Sequence, residues 1–173
     1  ESAFSGAALA GIIGEGYSGG KNLNQSLDNN DNFGRAVSLN GNRLAVGASS
    51  GDGTDSVNNE GEVYLYTFTD SVFSGAALAG IIGEGYTAYN GFNQSLNNDD
   101  LFGQSVSLDG NRLAVGALNG DGSGNSASNS GEVYLYTFTD SAFSGAVLAG
   151  IIGEGYTGGK NFNQSLGDGG RFG

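Results

Sequence analysis

Three glutamates, Glu15, Glu84 and Glu154, occupy the same Gly-Glu-Gly-Tyr setting. A carboxylate does acid and base work when a second one lies within about 5–10 Å to share the proton transfers, and Glu62 and Glu132 are the carboxylates that could supply it. Each glutamate is, however, copied along with its surroundings, whereas a catalytic residue serves one site. They therefore read as charges at strand ends or as acceptors for nearby backbone, and no catalytic residue is assigned. The loops Gly51-Asp52-Gly53-Thr54-Asp55 and Gly120-Asp121-Gly122-Ser123-Gly124 offer a different chemistry. Calcium takes roughly six to eight oxygen ligands, which carboxylates and carbonyls of such loops supply. The first loop region holds Asp52, Asp55 and Glu60, and the second keeps only Asp121. The loops read as solvated turns. Asp52, Asp55 and Asp121 are the residues that calcium would use if it bound, and no gain in thermal stability from millimolar calcium is expected.

Two further patterns recur. Asn24-Gln25-Ser26, Asn93-Gln94-Ser95 and Asn163-Gln164-Ser165 each form a glycosylation sequon on a polar stretch. Tyr17, Tyr64, Tyr66 and their copies could form a platform for sugar rings, although strand aromatics more often pack across strands. Gly14-Glu15-Gly16 lacks the Gly-Lys-Ser/Thr continuation or the GxGxxG frame of a phosphate-binding loop.

Composition narrows the chemistry further. The 173 residues include no His and no Cys, so zinc ligation, thiol nucleophiles, disulfides and Ser-His-Asp catalysis are all excluded for this stretch. The net charge of −12 opposes binding to nucleic acid or to anionic membrane surfaces. No apolar run approaches the ~18 residues of a membrane span. At 38% hydrophobic residues the chain has material for a core despite its 34 glycines.

What must hold the candidate residues is a repeat. Phe4-Ser5-Gly6-Ala7 returns at Phe73 and at Phe143, which divides the chain into the end of a preceding unit (1–3), unit 1 (4–72), unit 2 (73–142) and a partial unit 3 (143–173). The pattern begins and ends partway through a unit, as expected of a segment of a longer array. Within a unit the local signals are β. Glu62 to Thr69 is β-branched or aromatic at nearly every position, and both of its faces suit burial between stacked sheets. Val37-Ser38-Leu39 and Arg43 to Gly47 flank Asn40-Gly41, and Asp109-Gly110 stands there in unit 2. This spacing predicts a hairpin with a type I′ turn. Ala7 to Tyr17 reads as a Gly-rich strand bent near Gly14, because Gly11, Gly14 and Gly16, with Gly6 just before them, would each cost about 1 kcal/mol inside a helix. The fold class is thus all-β, with four- to five-stranded blade-like antiparallel sheets in tandem. Val63, Leu65, Leu44 and Val46, with Val133, Leu135, Leu113 and Val115, are the expected core.

One stretch resembles a known family. Phe33-Gly34, Val37-Ser38-Leu39, Arg43 to Ala48 and Gly61 to Tyr66, repeated at Phe102-Gly103, Leu113 to Ala117 and Gly131 to Tyr136, are similar to the FG-GAP repeat of integrin-α-type β-propellers and of long bacterial surface proteins. The resemblance implies one four-stranded blade per unit. Ser49 and Leu118 stand where the family has Pro, and Asn40-Gly41-Asn42 is a tight turn where the family carries its acidic calcium loop. The family's calcium site is therefore not transferred. Ring closure needs at least about four blades, and an open stack, a solenoid or a filament satisfies the same sequence.

The expected function is structural or adhesive: a repeat segment of a large extracellular surface or filament-forming protein, without catalysis or cofactor. Its expected partners are identical copies or adjacent units, and a cell-surface glycan or protein. A propeller recognising a protein or glycan through its loops is the alternative.

Overall fold

The computed structural model describes residues 6–54, 59–87 and 91–173; Asp55 lies outside them. The described residues form twelve strands and no helix: β1 Ile13–Gly14, β2 Leu23–Asn24, β3 Phe33–Asn40, β4 Arg43–Ala48, β5 Glu62–Thr67, β6 Ala77–Gly83, β7 Phe92–Asn93, β8 Phe102–Asp109, β9 Arg112–Ala117, β10 Glu132–Thr137, β11 Val147–Gly153 and β12 Phe162–Asn163. They make two five-stranded sheets, ordered β3-β4-β5-β6-β7 and β8-β9-β10-β11-β12, and a two-stranded piece, β1-β2. All pairs in the five-stranded sheets are antiparallel except β6–β7 and β11–β12, which are short and parallel. The all-β, blade-like reading of the sequence holds. Each sheet opens at Phe33 or Phe102, well inside a sequence unit, and closes in the next one.

The hairpin between β3 and β4 forms where expected, with Asn40 opposite Arg43, but its turn differs. The two central residues are Gly41 and Asn42, and only Gly41 has positive φ, at 58°. Gly110, at 54°, plays the same part in the second sheet. One positive φ at the first central position is the type II′ pattern, so the expected I′ turn is corrected. The bend near Gly14 is confirmed, with Gly16 turning at φ 76° as Gly85 and Gly155 do after β6 and β11 at 79° and 75°. The strand expected over Ala7 to Tyr17 is corrected to Ile13–Gly14, since among the described residues its only strand partner is the short β2, whereas its copies β6 and β11 run for seven residues beside a tyrosine strand.

The two sheets stack face to face. The back of the first sheet presents Ala45, Val63, Leu65 and Ile82, and the front of the second presents Phe102, Leu108, Leu113, Val115, Tyr134 and Tyr136. This is the larger core. A smaller core lies on the front of the first sheet, where Val46, Tyr64 and Tyr66 pack with Ile13 and Leu23 of the β1-β2 piece and with Leu27 in the loop after it. Both faces of β5 are therefore buried, as its unbroken β-branched and aromatic run predicts. Leu44, Val133 and Leu135 depart from the expected core by being only half-buried. The last two face away from the first sheet, on the back of the second, where no further sheet of the described residues lies over them.

Candidate functional site

The repeated carboxylates are taken up by backbone. Glu15, Glu84 and Glu154 each accept a hydrogen bond through Oε2 from an amide twelve residues later, Leu27 at 3.0 Å, Leu96 at 2.8 Å and Leu166 at 2.6 Å. The sequon asparagines return the clamp. Oδ1 of Asn24, Asn93 and Asn163 accepts from the amides of Gly16, Gly85 and Gly155 at 2.6, 2.7 and 2.7 Å. The three asparagines are exposed. Gln25 and Gln94, their chain neighbours, are buried and accept the hydroxyl protons of Tyr66 and Tyr136, each at 2.8 Å. The Asn-Gln-Ser motif thus joins a loop to the strand of a sheet behind it, which its polar character alone did not reveal.

Glu62 and Glu132 are buried and clasped by tyrosines. Glu62 Oε1 accepts from Tyr86 at 2.8 Å and from the Gly53 amide at 2.9 Å, and Tyr64 bonds to the same carboxylate. Glu132 accepts from Tyr134 and, at 2.9 Å, from Tyr156. Burial raises the Glu62 carboxyl above its ordinary range against the pull of these donors. Both carboxylates are thus engaged by the fold, although Glu62 keeps Oε2 buried without a hydrogen-bond partner.

Of the calcium candidates, Asp52 and Asp121 close their own loops. Their Oδ1 atoms accept from the Asn59 and Asn129 amides at 2.9 and 2.7 Å. Among the described residues, no group of three or more acidic side chains is disposed to hold a metal ion.

Two aspartates escaped the sequence reading, Asp31 and Asp100, both buried two residues before a Phe-Gly pair. Each caps a turn, accepting through Oδ2 from the amide three residues earlier at 2.7 Å, and leaves Oδ1 without a hydrogen-bond partner. Burial pushes the Asp100 carboxyl up to about 7, with Glu132, Asp121 and Glu60 adding repulsion. Asp31 is raised by the same cause. Their shared Asp-x-Phe-Gly spacing was the available signal.

The densest set of recurrent residues lies at the joint between sheets. The backbone of Phe102-Gly103 runs across Gly47 and Gly61. A Cβ on Gly47 would come within 1.9 Å of the Gly103 carbonyl oxygen, and one on Gly61 within 2.0 Å of the Phe102 oxygen. Gly103 itself has φ 86° and would place a Cβ 2.5 Å from the Glu62 oxygen. Backbone can approach backbone this closely only where side chains are missing. The Phe102 amide donates to the Glu60 carbonyl at 2.9 Å, and the Phe102 ring stands edge-on to Tyr134 with centroids 5.4 Å apart. Polar bonds frame the joint. Leu108 donates its amide to Ser38 Oγ at 2.9 Å, and Arg35 Nε donates to Gln104 Oε1 at 3.1 Å. The buried Arg43 donates to the Gly110 carbonyl and lies over the Phe143 ring at 5.1 Å. The same joint starts again at the other end of the second sheet, where Phe172 donates to Ser130 at 2.9 Å and Gly173 meets Gly116.

No curated protein matches the chain. The FG-GAP repeat family matches twice, over residues 27–66 and 96–136. Each match runs from the loop before a Phe-Gly pair to the tyrosine strand, so it spans the residues that build and border the joint. Both the Phe-Gly pair and the Gly-Ala pair at Gly47-Ala48 contribute backbone to it through their glycines. The chain therefore carries two FG-GAP repeats, at residues 27–66 and 96–136.

Proposed function

We propose that this chain is a structural, adhesive repeat segment of a large extracellular surface or filament-forming protein, with no chemistry of its own. One observation carries the reading: the residues that recur along the chain are consumed in joining one sheet to the next. Phe102-Gly103 on Gly47 and Gly61, Gln94 on Tyr136, and Arg43 on Phe143 all connect the first sheet to the second. A chain whose sequence is spent on stacking propagates length and repeats its surface at fixed intervals, which favours multivalent contact with a glycan or protein partner. The exterior placement is supported by the FG-GAP repeats, by the acidic exterior, and by the lack of Cys and Met, the commonest targets of oxidation. No helix among the described residues is long and apolar enough to cross a membrane.

The test is small-angle scattering from chains that concatenate two, four and six repeats. The structural reading expects the longest dimension to rise by a constant increment per added repeat. A dimension that stops growing would mark closure into a ring and favour a ligand-binding propeller.

A further inference from the structure

The same face occurs twice in this chain, once covered and once open. On the second sheet, Leu108 is 5% exposed and Phe143 1%. On the first sheet, the copy of Leu108 is Leu39, 52% exposed, and beside it Val37 is 65% exposed. These residues, with Phe33, Leu44, Phe68 and Phe73, line an apolar groove of about 600 Å³. Gly34, the copy of Gly103, keeps its φ of 87° yet has nothing within 4 Å of where a Cβ would stand. The sequence is nearly unchanged between the two faces, so the difference lies in the cover. Ala45, Val63, Leu65 and Ile82 on the back of the first sheet cover the second sheet's face. Their copies Ala114, Val133, Leu135 and Ile152, on the back of the second sheet, are only half-buried.

The strand next to the groove is incomplete in the same way. Leu9 to Gly14 repeats Leu78 to Gly83 and Leu148 to Gly153 residue for residue. The later copies form seven-residue strands, antiparallel with a tyrosine strand through six register pairs and a bulge, whereas the first makes a two-residue strand whose only partner among the described residues is the parallel β2. Among the described residues, no tyrosine-strand edge lies along Leu9–Gly14 and no apolar sheet back lies over the groove.

We propose that a second copy of this chain supplies both, its second sheet docking by its back on the front of the first sheet. The geometry is that of the joint already present between the two sheets. Residues 7–24 hold the place that β11 and β12 of the incoming copy would fill. Because Leu9–Gly14 and Leu148–Gly153 are identical, one replaces the other on the edge of β10 with its pairing conserved. At the other end, the incoming sheet exchanges its own Phe172-Gly173 for Phe33-Gly34 of the first copy, again like for like. The two surfaces differ from each other, so the contact is head to tail and continues into an open filament. This inference rests on the structural reading above, but its failure is separate: a monomer in solution would leave the growth of concatenated chains untouched.

Sedimentation of the 173-residue chain across a range of concentrations tests it. The weight-average mass is expected to climb above 17.4 kDa and past the dimer. A head-blocked variant, Val37→Lys with Leu39→Lys, changes two exposed residues. A tail-blocked variant, Leu135→Lys, changes the opposite surface, and Ala114→Lys replaces it if Leu135→Lys lowers the melting temperature. Each blocked variant alone is expected to dissociate at least tenfold more readily, whereas their equimolar mixture forms a dimer and stops there. A wild-type chain that stays monomeric overturns the proposal. So does association retained by either blocked variant, or a mixture that remains monomeric.

Discussion

At the scale of single residues, the motifs that looked chemical are tethers. Gln94 is the clearest, because its Oε1 is the acceptor for a tyrosine hydroxyl buried between two sheets. Gln94→Leu leaves that hydroxyl without a partner, and an unsatisfied buried group costs about 1–3 kcal/mol. Tyr136→Phe leaves the amide oxygen unpaired instead. Removing both partners removes the unmet demand, so the double variant is expected to be more stable than the sum of the two single losses implies. Urea unfolding of the four chains measures this coupling. The Asn-Gln-Ser triplet was legible as polar and recurrent. Its role was not, because Gln94 and Tyr136 stand 42 residues apart and nothing local predicts that they meet.

At the scale of elements, glycine decides which backbones touch. Gly103 and Gly34 share a sequence setting and a φ near 86–87°, so alanine pays the same left-handed backbone cost of about 1–2 kcal/mol at each. Only Gly103 lies against another sheet, its Cβ position 2.5 Å from the Glu62 oxygen. Overpacking there adds about 1–3 kcal/mol. Gly103→Ala should therefore destabilise the chain by roughly 3 kcal/mol, and Gly34→Ala by roughly half of that or less, in denaturant titrations at low protein concentration. Equal losses would mean that the close approach does not limit packing. The strands were readable from their β-branched runs and turn residues. The length of β1 was not, because the same residues form seven strand positions or two according to whether a tyrosine strand lies alongside.

At the scale of the whole molecule, charge and burial set a pH dependence. Asp100 titrates at about 7 in the folded chain and near 4 when unfolded. Between those values the folded chain holds more protons than the unfolded one, so stability falls as pH rises through that window and levels off above about 7. Asp31 and Glu62 are raised by the same desolvation and act in the same direction, and relief of self-repulsion at a net charge of −12 adds to it. Asp100→Asn retains an acceptor for the Asn97 amide while removing the buried charge. It is expected to stabilise the chain at pH 8 by about 1–3 kcal/mol, with the gain shrinking towards pH 4. Thermal melts across this range measure it; a gain that is the same at pH 8 and pH 4 would show that the Asp100 charge is not its source.

The sequence by itself determined the all-β class, the period of the repeat, the hairpins and the two-sided burial of the first tyrosine strand, Glu62–Thr67. Each of these follows from local preferences: alternation, β-branching, and glycine where φ turns positive. Only the tertiary structure decided that Glu84 is a backbone clamp, that Asp100 is buried with an unpaired oxygen, and that the Phe-Gly pair is a joint. Those roles depend on which groups stand opposite one another once two sheets stack. The chain shows the reason within itself, since Val37 and Leu39 lie open to solvent while Leu108, on an almost identical strand, is buried by a sheet that arrives from elsewhere in the chain.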